Sequence, residues 1–416
     1  MYARSEGRGN HGACMRRNHI QKEVSSMDFP LIEEHRMVVD VVRRFVNEDL
    51  IPLEKSVLER EATGQGMSFS KEDEAMLNRK SQSLGLWGLD VPEEYGGSDL
   101  PADVMMAIHF ELSKTISPYK TLPDSPNLAM LMMTATEQQK KDYLLPYAEG
   151  KLKSFIAISE PGAGGDPASM QTTAVRDGDD YVINGRKIWI SRVAESDFGI
   201  VMAATNRQAG SKGGISAFLV DKGTKGFNHV RRIPMIGGAY TNELLFEDCR
   251  IPATKILGQE GQGYGPMQQR LSVRRLQIGA WCLGFSHRAM NMMVDHVTQR
   301  KTFGVLLADR QAIQWWIADG TTKMHALRLM LIDAADRIKK GERLRSELSM
   351  IKVFGTEMAA DIVDHAMQSF GGMGMTKELP LQAMANRIRV WRVLEGPSEV
   401  HRQLIARNRI RAGNIA

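Results

Sequence analysis

A chain of 416 residues is too long for one ordinary core, so two or three domains are expected. Its 43% hydrophobic and 25% charged residues are those of a globular protein and exclude a disordered, collagen-like or coiled-coil chain. The net charge of +5 is mild, and about +2 remains once the first 26 residues are set aside, which argues against a dedicated nucleic-acid-binding protein.

Those first residues set Arg4, Arg8, Arg16, Arg17 and Lys22 against Glu6 and Glu23 and contain no apolar run. They read as a disordered tail or an over-long start ahead of Met27, not as a secretory signal. From Val38 the apolar residues fall at Val41, Val42, Phe45, Val46 and Leu50, the spacing of an amphipathic helix that Pro52 ends. A second helix is expected over Ala75–Leu84, running into the turn-rich GLWGLDVPEEYGG at 85–97. Further helical patterns cover Ala102–Ser113, Asn127–Thr134 and Glu137–Leu145, so residues 27–154 predict a helical domain.

The texture then changes. FIAIS, YVING, GIVMAAT, SAFLVD and ELLFED are short β-rich runs separated by glycine, aspartate and asparagine turns. They predict a small antiparallel barrel or sandwich over residues 155–265. After GQEGQGYG the helical period returns, with long patterns starting near Met267, Gln311, Arg345 and Gln382, which predicts a four-helix bundle over 266–416. The fold class expected is therefore α+β and multi-domain, in the order helical, β, helical. No run of eighteen apolar residues occurs, so no membrane-spanning helix is expected.

The three cysteines, Cys14, Cys249 and Cys282, are odd in number and far apart, which fits a reducing compartment and excludes both a disulfide framework and a CxxC zinc site. A cytoplasmic location is expected, with the mitochondrial matrix as the alternative. Cys282 lies in an apolar helical run and reads as core, not as a nucleophile. Neither GxGxxG after a strand nor GxxxxGK[ST] occurs, so a nucleotide cofactor must be held by other means. AISEPGAGGDPASM (157–170) places a proline and three glycines directly after a strand, where backbone N–H groups can approach a ligand. The same residues also suit a plain tight loop between strands.

PEEYGG, EPGAGGD, YVINGRKIWIS, DCRIPATKILG, QRKTFG, QSFGGMG and LEGPSEVHR stand in order and register over about residues 28–410. Together they resemble the acyl-CoA dehydrogenase family, FAD enzymes that desaturate acyl-CoA thioesters. The resemblance implies that Ile158, Ser159, Trp189 and Ser191 approach the flavin ring. It implies that Arg300, Thr302 and Phe303 hold the pyrophosphate and adenosine half, and that Gln311, Gln368, Gly371 and Gly372 make further FAD contacts, some across a subunit boundary. Ser398 and Glu399 would meet the adenine end, and Gly165, Arg275 and Gly396 the substrate. A homodimer or homotetramer and an electron-transfer flavoprotein partner are implied as well.

By the same resemblance Glu395 is the base that takes the α-proton. Val393 and Leu394 are expected to make its approach apolar, since burial strengthens a carboxylate base. The position from which some relatives supply their glutamate is Arg274 here. Two departures touch the CoA path: the usual GSD reads Gly164, Gly165, Asp166, and an aspartate ahead of the arginine pair is Ser272. The rival readings are an O2-reactive oxidase or monooxygenase on the same scaffold and a DNA-associated member, supported only by the basic tail and RNRIRAG (407–413).

Overall fold

The computed structural model describes residues 29–413; the predicted tail over 1–26 and Cys14 lie outside the described residues. Helices α1 (Glu33–Phe45), α2 (Glu54–Ala62), α3 (Lys71–Ser83), α4 (Ala102–Leu112) and α5 (Ser125–Thr134) come first, followed by helical turns over 137–148. The predicted stripe of α1 is the buried one: Val39, Val42 and Phe45 face inward. Ser70 caps α3 by accepting from the Asp73 amide.

Strands β1 (Ser154–Ala157), β2 (Thr173–Asp177), β3 (Asp180–Ile190), β4 (Phe198–Ala204), β5 (Ile215–Asp221), β6 (Phe227–Pro234), β7 (Tyr240–Pro252) and β8 (Ile256–Leu257) form one sheet. Its order is β6-β7-β3-β2-β4-β5-β8, with β1 added on β4. Most pairings are antiparallel, as expected of the β region, but β1 runs parallel to β4 and β2 touches β4 in the same sense. The reason is connectivity: the β2–β3 hairpin intervenes before the chain returns beside β1, so that pair is a crossover.

The C-terminal region contains α6 (Tyr264–Val297), a two-stranded hairpin of β9 (Lys301–Thr302) and β10 (Val305–Leu306), then α7 (Gln311–Lys339), α8 (Ser346–Phe370), α9 (Leu381–Trp391) and α10 (Ser398–Ala412). Three helices are long, and the fourth predicted pattern is split into α9 and α10 by residues 392–397. That break carries Glu395.

Two of the cores join regions that are remote in sequence. Val42, Phe45, Ile108 and Phe110 of α1 and α4 share a cluster with Leu283, Leu331 and Ile362 of the bundle. Leu128, Leu131 and Tyr143 pack with Phe198, Ile200 and Met202 of the sheet. Each fully buried side chain of this size contributes about 1.5–3 kcal/mol. Cys282 is completely buried in α6, inside the first of these clusters.

Candidate active site

Residues 392–397 separate α9 from α10, and Pro397 caps the start of α10. Glu395 has φ +57° and Gly396 φ +97°, two consecutive left-handed residues, after which Pro397 is extended and α10 begins. A glutamate in that region is strained, and such strain persists only where the surroundings impose it. Here three side chains grip the turn by its carbonyls. Lys352 Nζ donates to Arg392 O at 3.0 Å and to Gly396 O at 2.7 Å. Arg275 Nε donates to Glu395 O at 3.1 Å, and His401 Nε2 lies 3.2 Å from the same oxygen. A Cβ on residue 396 would stand 3.0 Å from that ring nitrogen, so glycine also serves close approach here.

Lys352 and His401 are buried. Burial, helped by repulsion from Arg275, pushes the lysine amine down to about 8, so it remains protonated at neutral pH. Burial, then Arg275 and Lys352, pushes His401 down to about 3. The ring is therefore neutral. Since Glu395 O can only accept, Nε2 carries the proton, and Nδ1 lies 2.9 Å from the Ser349 hydroxyl oxygen.

The Glu395 carboxylate meets a cation where an apolar approach was expected. Arg270 Nη1 bonds both Oε1 and Oε2 at 2.9 Å, while Arg270 Nε donates to Asn127 Oδ1 at 3.2 Å. Val393 is exposed and does not wall the group. Four residues further along α6, one helical turn away, Arg274 bonds Asp124 Oδ1 at 2.5 Å, and Arg192 stands 3.4 Å from that oxygen. Burial alone would raise the Asp124 carboxyl, but Arg274, Arg192 and Arg270 outweigh it and hold it below the usual range. Arg270, Asp124, Lys352 and His401 were not singled out from the sequence. The signal that existed was QRLSVRR, three arginines in six residues with no acid among them.

On the sheet side, β3 shifts register against β7 between Lys187 and Ile190. This bulge contains Trp189, at φ +63° and 52% exposed, and so turns the indole outward. Ser191 is exposed beside it. Ile158 and Ser159 are half-buried on the neighbouring segment, where Lys187 Nζ donates to Ile158 O at 3.0 Å and the Ile188 amide to Ser159 O at 3.0 Å. A Cβ on Gly165 would meet Val400 at 3.3 Å and Pro397 at 3.8 Å, so this loop abuts the segment that follows Glu395.

The remaining predicted residues form a second group. Phe303 (φ +53°) and Gly304 (φ +78°) make the two-residue turn of the β9–β10 hairpin, and the Phe303 ring is 98% exposed. Arg300 precedes the hairpin and Gln311 opens α7, both exposed. Gln368 is exposed at the end of α8, where Phe370 stacks on His296 at 4.1 Å. Nothing lies within 4 Å of a Cβ placed on Gly371 or Gly372. Among the described residues, none of this group bonds the Glu395 cluster. Ser398 is buried and Glu399 exposed at the start of α10. Two aromatic rings displayed from left-handed backbone, open glycines and an exposed arginine suit a flat cofactor with a phosphate tail.

The buried histidines make a pH prediction. His109 is also pushed down to about 3, by burial and then Arg274. As pH falls below about 6.5, the unfolded chain takes up both protons before the folded chain does. The contribution of these two rings to stability should be complete above that pH and decline toward pH 3, by up to ~1.4 kcal/mol per unit for each ring. Urea midpoints at pH 7.5, 6.0 and 5.0 check this: His109→Asn and His401→Asn should each flatten the slope, and an unaltered slope would refute it.

Three family descriptions match in succession: acyl-CoA dehydrogenase N-terminal domain over residues 32–151, middle domain over 155–249 and C-terminal domain over 261–410. The chain is 38% identical over 397 residues to the (R)-benzylsuccinyl-CoA dehydrogenase of Thauera aromatica, covering 93% of this chain and 98% of that protein. It is 31% identical to the caffeyl-CoA reductase-Etf complex subunit CarC of Acetobacterium woodii, over 90% of this chain and 97% of that one. The solved butyryl-CoA dehydrogenase of Megasphaera elsdenii superposes with a TM-score of 0.81 at 28% identity, over 92% and 99% of the two chains. A helical front, a central sheet and a helical bundle whose last break presents a glutamate are thus accounted for together: the chain belongs to the acyl-CoA dehydrogenase family of flavoprotein oxidoreductases.

Proposed function

We propose that this chain is an FAD-dependent dehydrogenase that desaturates an acyl-CoA thioester between its α- and β-carbons, with Glu395 as the base. The observation that carries the reading is the Glu395 turn: a carboxylate on strained backbone, gripped at three carbonyls and adjoining the Gly165 loop. Bound FAD would supply the acceptor for the β-hydride. Ile158, Ser159, Trp189 and Ser191 would hold its ring, and Arg300, Thr302, Phe303, Gln311, Gln368, Gly371 and Gly372 its phosphates and adenosine. Arg275 and His401 aim the base by fixing its carbonyl, and Lys352 fixes the carbonyls on either side.

Electrons would pass to an electron-transfer flavoprotein, as the Etf complex in the name of one relative suggests. The exposed Phe303, Trp315, Met373 and Met375 favour an assembly of at least two chains. The buried thiols of Cys249 and Cys282 fit a reducing, cytoplasmic setting.

Purified protein should be yellow and should release FAD on denaturation. Under anaerobic conditions its flavin should bleach with one or more members of a panel of straight, branched, aromatic and benzylsuccinyl thioesters. Reoxidation should be slow in air and fast with electron-transfer flavoprotein. A chain that binds no FAD, or bleaches with no thioester, would overturn the proposal; rapid oxidation by air with peroxide release would favour an oxidase.

A further inference from the structure

We infer that the acyl group this enzyme accepts carries its own carboxylate within a few bonds of the reacting carbons, and that Arg270 receives it. The inference rests on Glu395 being the base. Arg270 is buried, and its one anionic contact is that base, held on both oxygens by a single guanidinium nitrogen. The other terminal nitrogen, Nη2, bonds nothing among the described residues, so half of the fork is available. Arg192, Arg274 and Arg275 stand near Arg270; Arg192 pairs with Glu195 and, like Arg274, with Asp124, which leaves Glu395 as the acid bonded to Arg270 among the described residues.

Turnover removes that one partner. When the α-proton moves to Glu395, that group becomes neutral and the largely buried Arg270 loses its counter-ion. An uncompensated buried guanidinium is strongly disfavoured, so an acyl chain that is only hydrocarbon would work against the proton transfer. A substrate carboxylate on the free side of the fork supplies the missing charge before and after the proton moves. It also draws Arg270 off the oxygens that must approach the α-carbon. Arg270 reaches the base itself, so the incoming anion has to lie within one guanidinium width of it. That geometry points to a succinyl- or glutaryl-type thioester, not to a long chain with a remote acid.

The test uses matched thioester pairs that differ only in this group: succinyl against butyryl, glutaryl against valeryl, and a phenyl-substituted succinyl against its methyl counterpart. CoA is common to both arms, so any contact between Arg270 and CoA affects them alike. The native enzyme should favour the carboxylated member of at least one pair by about 100-fold or more in kcat/KM, because a site built around a polar partner rejects the analogue lacking it. Arg270→Met, scored at equal flavin content, should abolish that preference and raise the rate with the plain member. Arg270→Lys should restore part of it. Equal or better native turnover of the plain thioesters, or an Arg270→Met loss that falls equally on both arms, would overturn the inference while leaving the dehydrogenase intact. If none of the six bleaches the flavin but a plain thioester from a wider panel does, the inference also fails; if no thioester bleaches it, the dehydrogenase reading itself falls.

Discussion

Glu395→Gln is expected to lower the rate of thioester-dependent flavin reduction by ~10³-fold or more, with flavin content unaltered. A positioned general base contributes about 10²–10⁴ to such a step, and an amide cannot take up the proton. The turn itself should survive, because its grip is on the carbonyls of Arg392, Glu395 and Gly396 and not on the carboxylate. Glu395→Asp separates chemistry from charge: it keeps an anion for Arg270 yet withdraws the base by one methylene. A displacement of about 1 Å commonly reduces rates about 100-fold, so the aspartate variant should fall between the native enzyme and the glutamine variant. Anaerobic stopped-flow absorbance follows all three. A glutamine variant that reduces flavin at a tenth of the native rate or better would remove Glu395 from its role.

The order helical, β, helical was legible because hydrophobic period changes from near 3.6 to near 2 and back, and period follows from local geometry. The α1 stripe at Val42 and Phe45 is of this kind. What was hidden depends on contacts between distant segments. The parallel pairing of β1 with β4 follows from where the chain goes between them, which no local pattern records. The break between α9 and α10 was partly visible as Gly396 and Pro397, but the apolar spacing on both sides continued and suggested a single helix. At the site, Glu395 was singled out through its flanking motif, whereas its surroundings were misjudged. Val393 and Leu394 are neighbours in sequence, yet the group that meets the carboxylate, Arg270, is 125 residues away. Lys352 and His401 were passed over for the same reason: a lone lysine or histidine in an amphipathic run looks like surface until packing shows it buried.

Lys187→Met should be the most destabilising single change on the sheet side, at about 3–5 kcal/mol, because it strands a buried carboxylate. Lys187 is fully buried and its amine lies 2.8 Å from Glu160 Oε1, while Glu160 also accepts from the Gln171 and Thr172 amides at 2.5 and 3.0 Å. Burial pushes the lysine down to about 8 against the pull of Glu160, so the pair stays charged at neutral pH. The amine's further bond to Ile158 O ties the strand to the loop that follows it. The glycines of EPGAGGD let that loop take shape, but Glu160 is what anchors its two ends. Losing the lysine should therefore lower the urea midpoint of unfolding and also loosen the flavin, read as a weaker FAD dissociation constant. Glu160→Gln combined with Lys187→Met removes both charges and leaves the amide able to accept from Thr172, so it should recover much of the lost stability. If the single variant unfolds at the native midpoint and retains its FAD, the pair is not the anchor of this loop.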